Sequence, residues 1–168
     1  GCIIAPNHVS AIDPVFVGIT RFWGSRMVVF AKKELFEINA FLSWFFRCAG
    51  AVCVRGTKEE LGVIEDAVKH CQNGGTLLIF PEGTRYKGEE GGAGEFKNGA
   101  FRIAIKTGAP VVPVAISGAR GLFEAHGNRA TPGSIHIRIL PPIRTVGMSK
   151  AEQKQLPEAV RQTILAQL

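Results

Sequence analysis

Cys2-Ile3-Ile4-Ala5, running through Pro6 into Asn7-His8-Val9-Ser10-Ala11-Ile12-Asp13 and then Pro14, is the stretch on which the fold turns. Its first residues are apolar whichever way a pleated chain faces them, the mark of a strand buried on both sides. Asp13 followed by Pro14 is a favoured helix start, an acid at the cap ahead of a proline in the first turn. A doubly buried strand that becomes a helix within a few residues is the opening unit of an α/β layered domain.

The pattern repeats outward from there. Residues 27–31, 51–54, 76–80, 111–116 and 135–140 read as further short strands, and residues 14–22, 33–46, 58–71, 98–106 and 151–168 as helices. In residues 58–71, Leu61, Ile64, Ala67, Val68 and Cys71 recur at helical spacing, and Gly74-Gly75 stops the helix. Apolar strands alternating with helices call for a single layered α/β domain, its sheet mixed and largely parallel and flanked by helices. At 168 residues and 46% apolar content, the chain is large enough to bury one core. There is no internal repeat and no linker. Residues 87–94, with Gly88, Gly91, Gly92 and Gly94, read as a mobile loop able to close over a ligand.

Composition narrows the chemistry. The net charge of +6 fits an anionic partner or simply a solvated basic surface. No basic run of five or more residues appears, and no basic stripe with interleaved aromatics, so nucleic acid is not the expected partner. Cys2, Cys48, Cys53 and Cys71 form neither a C-x-x-C pair nor a metal-ligand spacing and read as reduced thiols in a cytosolic setting. No apolar run reaches the ~18 residues of a membrane-spanning helix. Apolar character from the first positions reads as a chain that opens inside a strand, so an upstream segment is expected.

His8 and Asp13 are five residues apart, about 140° of rotation on a regular helix, so they cannot cooperate from within one. They can if His8 lies in the turn and Asp13 caps the following helix. One carboxylate oxygen then accepts a backbone N–H and the other the imidazole Nδ1–H, leaving Nε2 as a base. The other reading of Asp13 is a plain cap. Asn7 and Ser10 either hold the turn or donate to a developing oxyanion; no G-x-S-x-G elbow marks Ser10 as a nucleophile.

The second polar block is Phe80-Pro81-Glu82-Gly83-Thr84-Arg85, at the end of a predicted strand, where ligands collect in open α/β sheets. Gly83 permits close backbone approach and Arg85 offers a fork for phosphate oxygens. Glu82 suits an anion site only if it pairs with a cation or takes a substrate hydroxyl; a surface turn with a Glu82–Arg85 ion pair is the alternative. Arg55, at the end of strand 51–54, is the next candidate cation, then Lys97 at a helix start, with Arg102 beyond it. A base beside an anion clamp suits group transfer onto a phosphorylated alcohol. The aromatic stretch Phe41, Leu42, Trp44, Phe45 and Phe46 reads either as a core helix or as a face that meets lipid.

Together these blocks resemble the glycerophospholipid acyltransferase family, of the 1-acylglycerol-3-phosphate acyltransferase type. Residues 7–13 match its N-H-x-S-x-x-D pattern and residues 80–85 its F-P-E-G-T-R block; residues 50–55 and 111–116 resemble its two other blocks, in the same order. The resemblance implies that His8 with Asp13 deprotonates an acceptor hydroxyl, which attacks the thioester of acyl-CoA or acyl-carrier protein. Glu82, Gly83, Thr84 and Arg85, with Arg55, would bind the acceptor and its phosphate. Thr84 resembles the lysophosphatidate enzymes more than the glycerol-3-phosphate ones. The family's intervening arginine commonly stands one residue later than Arg55, where this chain has Gly56. The implied product is phosphatidic acid, with no metal and no cofactor beyond the acyl donor. The implied setting is a membrane surface on its cytoplasmic face, with an anchoring segment upstream of a domain spanning residues 1–168. Acylation of glycerol-3-phosphate or of another lysophospholipid is the alternative, as is a thioesterase or lipid esterase using the same base on water.

Overall fold

A computed structural model describes residues 1–21, 27–32, 51–54, 59–89, 91–127, 129 and 131–168. Strand β1 (Cys2–Pro6) lies inside the sheet, with Ile3, Ile4 and Ala5 all essentially inaccessible to solvent. Parallel neighbours flank it: β4 (Thr76–Leu78) on one side and β5 (Val111–Ser117) on the other, with Ile3 in register with both Leu77 and Val111. Beyond β4 come β2 (Met27–Lys32) and then β3 (Ala51–Val54), also parallel; beyond β5 comes β6 (His136–Ile139), antiparallel. The order is therefore β3-β2-β4-β1-β5-β6, a mixed and largely parallel sheet as the apolar runs implied.

Alternation along each strand feeds two cores. Ile3, Ala5, Leu77, Val111 and Ala115 pack with Ala67, Val68 and Cys71 of helix α2 (Glu59–Gln72), Phe101, Ile103 and Ala104 of α3 (Asn98–Thr107), and Leu156, Val160 and Ile164 of α5 (Lys150–Leu165). Ile4, Leu78, Val114 and Ile116 face the other way, toward Val17 of α1 (Asp13–Arg21) and Ala119 of the short helix α4 (Ala119–Leu122). A capping box, in which Ser149 and Glu152 exchange hydrogen bonds, begins α5 at Lys150. Strand β4 ends at Leu78, short of Phe80, because the chain turns at Pro81; Ile79 N–H still reaches Ile4 C=O at 3.0 Å. The predicted helix 33–46, its aromatic stretch and Arg55 lie outside the described residues.

The topology matters more than the element count. Because β4, β1 and β5 are adjacent and parallel, the loops leaving their C-terminal ends open on one edge of the sheet. Those loops carry, respectively, residues 79–97, residues 7–12 and the segment from Gly118 onward.

Asn7 extends the β1 to β5 ladder past the last strand residue. Its side-chain amide donates to Ile116 C=O at 2.9 Å and accepts from Ile116 N–H at 2.7 Å, with no solvent access. Substituting Asn7→Ala leaves two buried backbone groups unpaired and is expected to cost about 2–5 kcal/mol. Urea denaturation checks it. Asn7→Asp is expected not to restore stability, since it sets a carboxylate oxygen against the Ile116 carbonyl.

Candidate active site

His8 sits in the turn after β1, its ring against Phe80 with centroids 4.3 Å apart. Its Nδ1 lies 3.0 Å from Asp13 Oδ2. A carboxylate can only accept, so Nδ1 carries the proton and Nε2 keeps the lone pair. The His8 side chain is 17% exposed, open enough to meet a substrate, while that of Asp13 is fully buried.

One expectation needs correction. Asp13 does not divide its oxygens between imidazole and helix cap: Oδ2 alone accepts from His8, from Val9 N–H at 2.8 Å and from Ser10 N–H at 2.7 Å, whereas Oδ1 has no hydrogen-bond partner among the described residues. The N–H groups belong to the turn before the helix. Asp13 is the first residue of α1, so its side chain reaches backward and closes the turn around the histidine. Three donors on one oxygen offset the loss of water around a buried charge.

The second block grips the main chain of the first. Glu82 is buried, with its Oε1 accepting His8 N–H at 2.8 Å and its Oε2 accepting Gly94 N–H at 3.1 Å. From the other side, Tyr86 N–H donates to His8 C=O at 2.7 Å. The Glu82 carboxylate, expected to meet the acceptor, accepts from two backbone donors in the fold. Gly94 suits this contact, since a Cβ there would stand 2.8 Å from Glu82 Oε2. Burial pushes the Glu82 carboxyl up, against the opposing pull of the His8 and Gly94 N–H groups.

Gly83, Thr84 and Arg85 stay exposed, and Gly83 takes φ +68°, a left-handed turn natural to glycine. Lys97, also exposed, immediately precedes α3, and its Nζ lies 3.2 Å from where a Cβ on Gly83 would stand. Arg85 Nη1 meets Glu124 Oε1 at 3.2 Å. Ser10 is buried and its hydroxyl donates to Glu124 Oε2 at 2.7 Å, while the Asn7 amide is engaged with the Ile116 backbone. The loop 87–94, expected to be mobile, is fastened at both ends. Arg120 donates to Gly88 C=O at 2.6 Å and to Tyr86 C=O, and Arg161 of α5 donates to Ala93 and Gly94 C=O at 3.0 and 2.9 Å.

Glu124, in the 3-10 turn Glu124–His126, and Arg120 were not among the expected residues. Their segment has too little hydrophobic periodicity to declare itself. The usable signal was positional, since it follows a strand that ends at the same sheet edge as the two motifs.

Comparison with known proteins agrees with this architecture. A family model described as Acyltransferase matches residues 1–117. The 1-acyl-sn-glycerol-3-phosphate acyltransferase alpha of Homo sapiens is 28% identical over 174 residues, covering 97% of this chain and 57% of the relative. The 1-acyl-sn-glycerol-3-phosphate acyltransferase of Saccharomyces cerevisiae is 32% identical over 162 residues, covering 95% of this chain and 52% of the relative. The chain thus spans a little over half the length of these curated relatives. The crystal structure of the 1-acyl-sn-glycerophosphate (LPA) acyltransferase PlsC from Thermotoga maritima superposes with a TM-score of 0.77 at 30% identity, over 99% of this chain and 64% of that one.

Glu82→Gln sets an NH2 group against one of two backbone N–H donors and is expected to cost about 1–3 kcal/mol at neutral pH. The folded pKa of Glu82 lies above its ordinary 4.5, so the folded state holds the extra proton in that interval and wild type loses stability as pH rises through it. The variant has no such proton. Its stability difference from wild type is therefore expected to shrink with rising pH, as denaturant titrations across the interval would show.

Proposed function

The chain belongs to the acyltransferase family, and from that premise we propose that it moves a fatty acyl group from acyl-CoA, or acyl-carrier protein, to the free hydroxyl of 1-acylglycerol-3-phosphate, giving phosphatidic acid. The observation that carries this reading is the His8 Nδ1 to Asp13 Oδ2 contact of 3.0 Å, set against a loop that presents Arg85 at the same sheet edge. The names of the relatives at 28% and 32% identity, both acyltransferases of 1-acyl-sn-glycerol-3-phosphate, support the acceptor.

In this mechanism His8 Nε2 takes the proton from the acceptor hydroxyl as its oxygen attacks the thioester carbonyl. The buried Asp13 carboxylate steadies the imidazolium that forms. Collapse of the tetrahedral intermediate breaks the C–S bond, and the imidazolium returns its proton to the departing thiolate. The ester forms, the free thiol leaves, and His8 ends neutral. No covalent enzyme intermediate is needed, and the buried Ser10 hydroxyl, occupied by Glu124, supplies none.

Arg85 seats the acceptor phosphate, with Lys97 beside Gly83 as a second cation and Thr84 on the same exposed turn. Arg55, next in sequence after β3, would by the family resemblance add a third. Glu82 and Gly83 serve this site by shape: Glu82 by fixing the His8 backbone, Gly83 by letting the phosphate approach the turn. Substrates of this kind reside in membranes, so the chain would work at a membrane surface on its cytoplasmic face. The net charge of +6 favours an anionic one. Among the described residues no helix is long and apolar enough to cross a bilayer.

An acceptor panel tests the proposal: one acyl-CoA with 1-acylglycerol-3-phosphate, glycerol-3-phosphate, another lysophospholipid or no acceptor, in mixed micelles. Phosphatidic acid formed only with 1-acylglycerol-3-phosphate is expected. Release of free CoA at the same rate without acceptor would show a hydrolase instead. His8→Ala is expected to lower kcat about 10²–10⁴-fold with the fold retained, as circular dichroism would show; near-normal turnover would reject the base. Arg85→Ala is expected to raise the acceptor KM with little change in kcat, since its phosphate contact is made equally in ground and transition states.

A further inference from the structure

The segment after β5 lies beyond residues 1–117, the part that the family model matches, yet it touches both polar loops. Arg120 of α4 reaches Val9 C=O at 3.5 Å on one side, and Gly88 and Tyr86 C=O on the other. Glu124 does the same with opposite charge. Its Oε2 accepts from the Ser10 hydroxyl at 2.7 Å, and its Oε1 accepts from Ala11 N–H at 2.8 Å and from Arg85 Nη1 at 3.2 Å. Burial pushes the Glu124 carboxyl up, but the hydrogen bonds from Ala11, Ser10 and Arg85 outweigh it, and the net shift is downward. It is therefore ionised at neutral pH.

We propose that Glu124 is a positioning residue, which aims the Arg85 guanidinium by bracing it against the turn that carries His8. The inference rests on the reading of Arg85 as the phosphate contact. A free arginine side chain samples many rotamers, and ordering one on binding costs affinity. Glu124 is only 22% exposed and is held by Ser10 and Ala11, so it ties Arg85 to residues two and three positions beyond His8. A guanidinium has five N–H donors, and this contact occupies one, leaving the rest for phosphate oxygens. The contact has a competing effect that makes the proposal testable. A carboxylate near an anion site also repels the anion, so a merely adjacent Glu124 would weaken acceptor binding, and its removal would lower KM.

The test is steady-state kinetics with acyl-CoA saturating and 1-acylglycerol-3-phosphate varied in micelles, for wild type, Arg85→Ala, Glu124→Ala, Glu124→Gln and the double alanine variant, with thermal midpoints measured alongside. Glu124→Ala is expected to raise the acceptor KM roughly tenfold, the scale of a lost partly buried charge-assisted contact, with a smaller change in kcat. The acceptor KM of the double variant is expected to be no higher than that of Arg85→Ala alone, because Glu124 acts on the acceptor through that guanidinium. An unchanged or lowered KM in Glu124→Ala, or KM penalties that multiply in the double variant, would overturn the positioning role while leaving the function intact. Should Glu124→Ala fail to fold, Glu124→Gln keeps an acceptor for Ala11 N–H and is expected to raise KM several-fold; wild-type KM there would overturn the role equally. If Arg85→Ala itself leaves the acceptor KM unchanged, the phosphate reading of Arg85 fails and this inference falls with it.

Discussion

The peptide groups on either side of His8 are held by a loop that begins more than seventy residues later. Glu82 accepts the His8 N–H and Tyr86 donates to the His8 C=O, so the main chain on both sides of the imidazole belongs as much to the second polar block as to the first. Asp13 then governs the ring itself through Nδ1. Backbone and side chain are fixed by different partners, which leaves the histidine little freedom except at Nε2. A general base that must meet a hydroxyl within hydrogen-bond reach gains from such restraint, because a misplacement of about 1 Å can cost two orders of magnitude in rate.

That restraint depends on strand order. Were β4 not the parallel neighbour of β1, Glu82 would leave the sheet elsewhere and the His8 N–H would have to find another acceptor. β5 completes the arrangement on the other flank, where Asn7 locks to Ile116. Even the C-terminal helix takes part: Arg161 holds the carbonyl of Gly94, whose N–H donates to Glu82, whose other oxygen holds His8. This is a chain of contacts from α5 to the imidazole, each link a hydrogen bond to a backbone group.

Much of the fold was legible because the strands are apolar on both faces and the helices carry clear stops, such as Gly74-Gly75 after α2. The His8 and Asp13 pair was legible for a related reason: only a turn between strand and helix lets residues five apart meet. Less could be read where a carboxylate's direction was at stake. Nothing in Glu82 or Asp13 as residue types says whether a carboxylate oxygen faces solvent or a backbone N–H three or seventy positions away, since that follows from packing. Glu124 was illegible for want of any pattern in its segment, and the carboxylate that meets Arg85 is Glu124, not the Glu82 that sequence proximity offered as its partner.

The division of charge at this edge follows from the same packing. Asp13, Glu82 and Glu124 each accept backbone N–H groups, so the three carboxylates act as internal braces for loops that have no ladder of their own. Irregular backbone must satisfy its donors somehow, and a buried carboxylate can accept from several at once. The cations lie outside them: Arg85, with its side chain 47% exposed, and Lys97 at the surface. An acid layer beneath a basic rim lets loops of a basic chain hold a rigid shape while engaging only one Arg85 N–H, through Glu124. Reversing the layers would bury guanidinium groups against N–H donors they cannot accept from, and the turn around His8 would lose its acceptors.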